Sequence, residues 1–255
     1  AYFSGYWDKM IKFMRTFFNN TLKSNTYIEK ALLTGITRVS KESMFSDMNN
    51  LYVASITTHR YETAFGFTEA EVFAALDHVK LGKYKKRVKQ WYDGFVIGRC
   101  RDIYNPWSIT RFIDSDGEFD TYWANTSSNN LVSSLISKGS RTLKCAMEDL
   151  MNGIPVEADI DENIDFDSLE SEDDAVWGLL YTTGYLKADS VNEDVYTLSI
   201  TNVEIYKMFT RMFRKWFART RGSFGDFQKA FLKGDIEEMN YYMNMVTNMT
   251  FSYFD

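Results

Sequence analysis

Two prolines in 255 residues, Pro106 and Pro155, leave this chain with almost no fixed breaks. Proline locks φ and stops helices, so punctuation here must come from glycine and asparagine. There is no internal repeat, no low-complexity tract and no Pro/Gly-rich linker. Hydrophobic residues make up 45% and charged residues 25%. That balance suits a soluble globular protein and excludes a disordered tail, a collagen-like repeat or a coiled-coil rod. No apolar run approaches the ~20 residues of a membrane span. With 29 Lys+Arg against 35 Asp+Glu, the net charge of −6 argues against general polyanion binding. Cys100 and Cys145 stand far apart and outside any CxxC spacing. This argues against a disulfide framework or a Cys-based zinc site and fits a reducing, cytoplasmic compartment.

The chain enters a helical pattern almost at once. Trp7, Ile11, Met14 and Phe18 recur at helical spacing, Met10 and Phe17 widen the stripe, and Ser4 is the expected N-cap. Ala31–Ile36 then reads as a short buried strand, and Leu51–Ile56 as a second. A continuous apolar run suits a strand covered on both faces, as in a parallel α/β sheet. Thr68 and Glu71 have capping-box spacing at the head of a helix striped by Val72, Leu76 and Val79. A basic helix spans about Lys83–Tyr92 and stops at Asp93-Gly94. Asn105-Pro106 starts another, with Asn as cap and Pro pre-set at the first helical position. Ser127–Ile136 and Thr142–Met151 read as further helices, and Asp161–Asp174 as an acidic surface loop. A short buried helix ends at Gly184. Two strands follow, Tyr185–Ala188 and Val195–Ile200, with Asn192-Glu193-Asp194 between them. Asn202 caps a long helix striped by Ile205, Phe209, Met212, Phe213 and Trp216. Helix, hairpin, helix is the outline of a winged-helix module. Two more helices are expected near Ser223–Leu232 and Ile236–Val246.

Familiar catalytic signatures are absent. There is no GxxxxGK[ST] loop, no GxSxG, no HExxH and no Cys/His cluster. His59 and His78 lack motif partners, and the acidic run Glu170–Asp174 reads as a helix start rather than a metal site. Lys83, Lys85, Lys86, Arg87 and Lys89, with Trp91 and Tyr92 just beyond, form a basic-aromatic stretch of the kind that binds nucleic acid; a solvated helix face is the plainer reading. The helix before the hairpin begins Glu172-Asp173-Asp174, which phosphate would repel. The winged-helix outline therefore reads as a packing or regulatory module.

Seven runs occur in order: Leu33–Ser46, Asn49–Leu51, Phe65–Glu69, Trp91–Phe95, Ile103–Ile109, Tyr122–Asn129 and Phe251–Asp255. Together they resemble a bacterial family of predicted AAA-ATPase-like proteins that carry a C-terminal PD-(D/E)XK nuclease-like domain. The resemblance covers nearly the whole chain. Family members place a Walker A loop and a Walker B strand upstream of a helix like Ser4–Thr21, and the nuclease-like domain follows a run like Phe251–Asp255. Both ends of the chain thus read as cuts through a longer protein. The implied fold is an α/β remnant followed by mostly α structure. Residues 1–80 would be the C-terminal part of the P-loop ATPase-like core and 81–160 a helical lid. Residues 161–250 would form a winged-helix-like and helical unit, and 251–255 the start of a connection to a further domain. Without phosphate-cradling amides and a Mg²⁺-holding acid, hydrolysis by this chain alone is not expected.

The resemblance also implies site residues. Thr34, Thr37 and Arg38 lie where a γ-phosphate sensor would stand at the end of a core strand. Asn105 and Pro106 resemble an adenine-side turn at the lid entrance, with Trp91, Tyr92 or Tyr104 as stacking partners. Tyr122–Asn129 reads as a capping segment or a contact with a neighbouring domain. ATP and Mg would belong to the intact protein, with none expected on this chain. The implied partners are the missing P-loop part and nuclease-like domain, with self-association through an uncovered 31–36 strand edge. Two other function classes stay open: a nucleic-acid-binding module using 83–89, and an interaction segment without ligand.

Overall fold

The computed structural model of the chain describes residues 5–23, 25–35, 51–125, 129–162 and 166–250. Helix α1, Trp7–Leu22, begins after Tyr6 without a side-chain cap; the expected cap, Ser4, lies outside the described residues. Of the apolar stripe only Ile11 is buried, and Met10, Phe13 and Phe17 stay exposed.

The strand expected over Ala31–Ile36 is not present in its described part. Residues 31–35 have no regular secondary structure and are exposed, Leu32 by 78%. Leu51–Ile56 forms no strand either. An apolar run becomes a strand only where neighbouring strands accept its backbone groups, and among the described residues no strand pairs with these segments. The chain is mixed α/β, but the two sheets among the described residues are small and antiparallel.

The first packed unit starts at β1, Phe67–Thr68, which leads into α2, Glu69–His78. The capping box forms as its spacing predicts: Thr68 Oγ1 accepts from Glu71 N, and Glu71 accepts from Thr68 N at 2.8 Å. A 3₁₀ turn, Gly82–Tyr84, precedes α3, Lys85–Tyr92. Next come β2, Phe95–Ile97, and β3, Cys100–Tyr104, a hairpin that the sequence reading missed. Strand β3 is central, pairing Phe67 with Tyr104 and Phe95 with Ile103. Helix α4, Pro106–Asp114, is capped by Asn105, whose Oδ1 accepts from Trp107 N and Ser108 N. Val72, Leu76, Val88, Tyr92, Tyr104, Ile109 and Phe112 form the core of this unit.

The second unit comprises α5, Asn130–Lys138, α6, Arg141–Met151, β4, Val156–Asp159, α7, Phe166–Ser171, and α8, Asp173–Thr182. Helix α7 lies within the stretch read as an acidic loop. Gly184, at φ +84°, ends α8 in a Schellman motif, with Tyr185 N–H on Leu180 O and Gly184 N–H on Tyr181 O. Strands β5, Leu186–Asn192, and β6, Val195–Ile200, form the expected hairpin. Strand β4 joins the other edge of β6, giving the order β4-β6-β5. Helix α9, Val203–Lys233, lays Ile205, Met208, Phe209 and Met212 onto this sheet and α8.

Helix α9 is one helix of 31 residues where two were expected. Gly222 and Gly225 cost helix stability, about 1 kcal/mol each, without breaking it. The chain turns only at Gly234, which takes the left-handed conformation at φ +69°. Helix α10, Ile236–Thr250, then packs back along α9.

Candidate functional site: a cleft at the start of α9

The two units meet where β6 passes into α9. Gly94, in the turn after α3, makes the close approach possible. It sits at φ +108°, and a Cβ there would lie 2.2 Å from the carbonyl oxygen of Thr201. Thr201 is itself held by its Oγ1–H donating to Gly184 O at 2.8 Å. The Asp93-Gly94 pair, read from sequence as a stop, is the contact point between the two units.

A second tie lies in the first turn of α9. Glu204 is 1% exposed. Its Oε2 accepts from Ser108 Oγ of α4 at 2.8 Å, and its Oε1 accepts from Trp123 N at 2.7 Å. Burial pushes its carboxyl above the ordinary range, opposed by these donors. Arg211, two turns further, donates to Asp120 Oδ1 and Thr121 Oγ1.

Beside these ties opens a cleft of about 590 Å³. Lys89, Asp93 and Gly94 form one side, the 150–154 turn after α6 another, and Lys187, Ser199, Ile200, Asn202, Val203 and Tyr206 the rest. Three of its residues carry buried polar atoms without a hydrogen-bond partner: Asp93 Oδ1, Ser199 Oγ and Asn202 Nδ2. For Asn202 the chemistry is fixed. Its Oδ1 caps α9 by accepting from Ile205 N at 3.1 Å, so the atom left over is an N–H donor.

At the Asp93 end stands an acidic group. Glu69, Asp93 and Asp102 each offer an oxygen within 4.8 Å of the others, a spacing that three ligands of one divalent ion could share. Here the Lys89 ammonium lies among them, bonded to Glu69, 3.3 Å from Asp102 Oδ1 and 3.7 Å from Asp93 Oδ2. The bond to Glu69 holds the Lys89 ammonium above its usual range. Burial pushes Asp93 up to about 6, with Asp102 adding to the rise and Gly94 N–H and Lys89 opposing it. Asp102 is held below the usual carboxylate range, first by Asp93 and then by Lys89.

The residues singled out in the sequence fall into three groups. Thr34 is exposed and outside any strand; Thr37 and Arg38 lie outside the described residues, as does Phe251–Asp255. Tyr92 and Tyr104 are fully buried, the first donating to Asp120 O and the second to Glu69 Oε2. Their rings are core, and desolvation holds both phenols above their usual range. Asn105 and Pro106 serve as the start of α4. Trp91 is half-buried against Phe119, with Lys207 Nζ 5.1 Å from its ring centre. The basic helix is largely engaged: Lys85 with Asp77, Lys89 with the acidic group, Arg87 over Phe119 and Lys83 over Tyr84.

Sequence reasoning did not reach Glu204, Lys187, Ser199 or the 69/93/102 group. An acid in a helix's first turn is common, and nothing local marks Glu204 as buried. Asn202 was visible as a cap, but not as a cap whose amide is buried without a partner in a residue lining a cleft.

No protein-family model matches the chain, and no solved structure does. It is similar to a protein of Azotobacter chroococcum mcd 1 described as "Uncharacterized protein in vnfD 5'region", at 25% identity over 197 residues. The match covers 75% of this chain and 36% of that protein, so the chain spans about a third of its relative's length.

Proposed function

We propose that this chain is the sensor-and-lid portion of an AAA-ATPase-like nucleotide-binding switch protein, with a winged-helix-like and helical unit over 161–250, and that it does not hydrolyse ATP by itself. The reading rests on one convergence. Three of the seven runs that carry the family resemblance, 91–95, 103–109 and 122–129, meet the start of α9. Gly94 contacts Thr201, Ser108 bonds Glu204, and Trp123 N bonds Glu204. A helix that holds two packed units at one end is suited to pass a displacement of one unit to the other. Similarity to one third of a longer protein is in keeping with a portion of a larger machine.

ATP and Mg²⁺ would be held by phosphate-binding parts upstream of this chain. The cleft is ill-suited to a triphosphate, because three carboxylates against one ammonium leave an excess of negative charge at its Asp93 end. Two assays test the reading. The chain alone should show no ATP turnover above background, and measurable turnover would end the account. In the longer protein, Arg38→Ala should abolish hydrolysis while ATP still binds; unchanged turnover would remove Arg38 from the site. Nucleic acid binding is the lesser reading, because most of the basic helix is already paired within the fold.

A further inference from the structure

We propose that the cleft at the start of α9 binds a small zwitterionic ligand of the α-amino-acid class, its ammonium against Asp93 and its carboxylate against Asn202, Ser199 and Lys187. This inference stands apart from the P-loop reading and needs none of the nucleotide machinery.

The argument starts from the unpartnered atoms. A buried polar atom without a partner costs on the order of 1–3 kcal/mol, and three such atoms belong to residues lining this one cleft. Asp93 is 8% exposed, so its Oδ1 has little access to bulk water. It is an acceptor and requires a donor. Asn202 Nδ2 is a donor, because the helix cap has taken its carbonyl oxygen. The Ser199 hydroxyl can serve either role. A matching ligand therefore carries both an N–H group and an acceptor.

Charge selects among such ligands. Around Asp93, the carboxylates of Glu69, Asp93 and Asp102 face the Lys89 ammonium, with Arg101 acting on Asp102, so a cationic donor is favoured there. The same lining holds Lys187, the Asn202 amide and the N-terminal end of α9, brought near Asp93 by the Gly94–Thr201 contact. Lys187 is 4.0 Å from Asp189, a loose pairing that leaves it able to meet an anion. Glu204, buried in the first turn of α9 and bonded by Ser108 and Trp123, offsets part of the α9 dipole, so Lys187 and the Asn202 amide carry the attraction for an anion. Leu150, Met151, Ile154, Ile200, Val203 and Tyr206 supply an apolar wall for a side chain. The volume of about 590 Å³ lies within the usual range for small-molecule sites.

The test is calorimetric titration of the 255-residue chain with L-leucine, L-phenylalanine, phenethylamine, hydrocinnamate and ATP. Saturable binding of an apolar L-amino acid is expected, with the amine-only and acid-only analogues weaker by about tenfold or more. Two variants probe the two contacts. Asn202→Asp keeps an oxygen to cap α9 but replaces the donor by an acceptor, and Asp93→Asn removes the anion. Each should weaken the amino acid by about tenfold, with thermal melts showing that the variants fold. No amino-acid binding up to about 10 mM, or binding indifferent to Asn202→Asp in a folded variant, would overturn the assignment. ATP binding in place of the amino acids would also overturn it and give the cleft to nucleotide.

Discussion

Asp93 carries an unfavourable charge at neutral pH. Its carboxyl titrates near 3.8 when unfolded and is pushed up to about 6 by burial in the fold. Between those values the folded state holds more protons, so this residue's contribution to stability falls as pH rises through that window. Asp102 acts in the opposite sense at lower pH: its depressed carboxyl contributes stability that is lost as pH falls from about 3.8 through its folded value. Asp93→Asn should raise stability at pH 7 by roughly 2 kcal/mol and flatten the dependence between pH 4 and 6; urea unfolding at several pH values reads both. A variant less stable than the parent at pH 7 would show that the Lys89 pairing outweighs burial. Gly94 is the other sensitive position. Gly94→Ala meets both a left-handed φ and the backbone of Thr201 at 2.2 Å, and should cost about 3 kcal/mol or more.

Among the elements, α9 has the most to hold. Glu204 ties it to α4 and to the 123–125 turn from a fully buried position. Glu204→Ala strands the Ser108 hydroxyl and the Trp123 N–H, an expected loss of about 2–4 kcal/mol by chemical denaturation. Glu204→Gln keeps an acceptor and should lose less. Equal losses would mean that the charge, not the hydrogen bonding, holds the joint. The caps follow ordinary local physics by comparison. Thr68→Ala and Asn105→Ala should each cost about 1 kcal/mol, because each removes an acceptor from the first-turn N–H groups of α2 and α4.

For the whole molecule, protection should follow burial. Ile205, Met208, Phe209 and Met212 of α9 and Val176, Trp177, Leu180 and Tyr181 of α8 sit in the larger core. Helix α1 buries one residue, and 25–35 has neither secondary structure nor burial. Hydrogen exchange should therefore be slow over 176–181 and 205–212 and fast over 25–35, with α1 between them. Slow exchange over 25–35 would mean that this stretch is covered, as self-association would require. No helix among the described residues is long and apolar enough to cross a membrane.

Much of the element pattern was legible because it is local. Thr68 with Glu71, Asn105 with Pro106, Gly184 and Asn202 each act on backbone groups within a few residues, so their spacing alone placed four helix ends. The hairpin of β5 and β6 was visible for the same reason. Strands that depend on distant partners were not. Ala31–Gly35 has a buried strand's composition but no ladder to join, whereas Cys100–Tyr104 became central only because Phe67 and Phe95 reach it from opposite sides. The cleft is a product of packing throughout. Asp93, Lys187, Ser199 and Asn202 come from the turn after α3, two strands and a helix cap, and the packing of the two units, with Gly94 against Thr201, draws them to one place. Sequence set the ends of the helices through short-range hydrogen bonding; tertiary structure decided which polar atoms would be buried together, because burial depends on the whole arrangement of the chain.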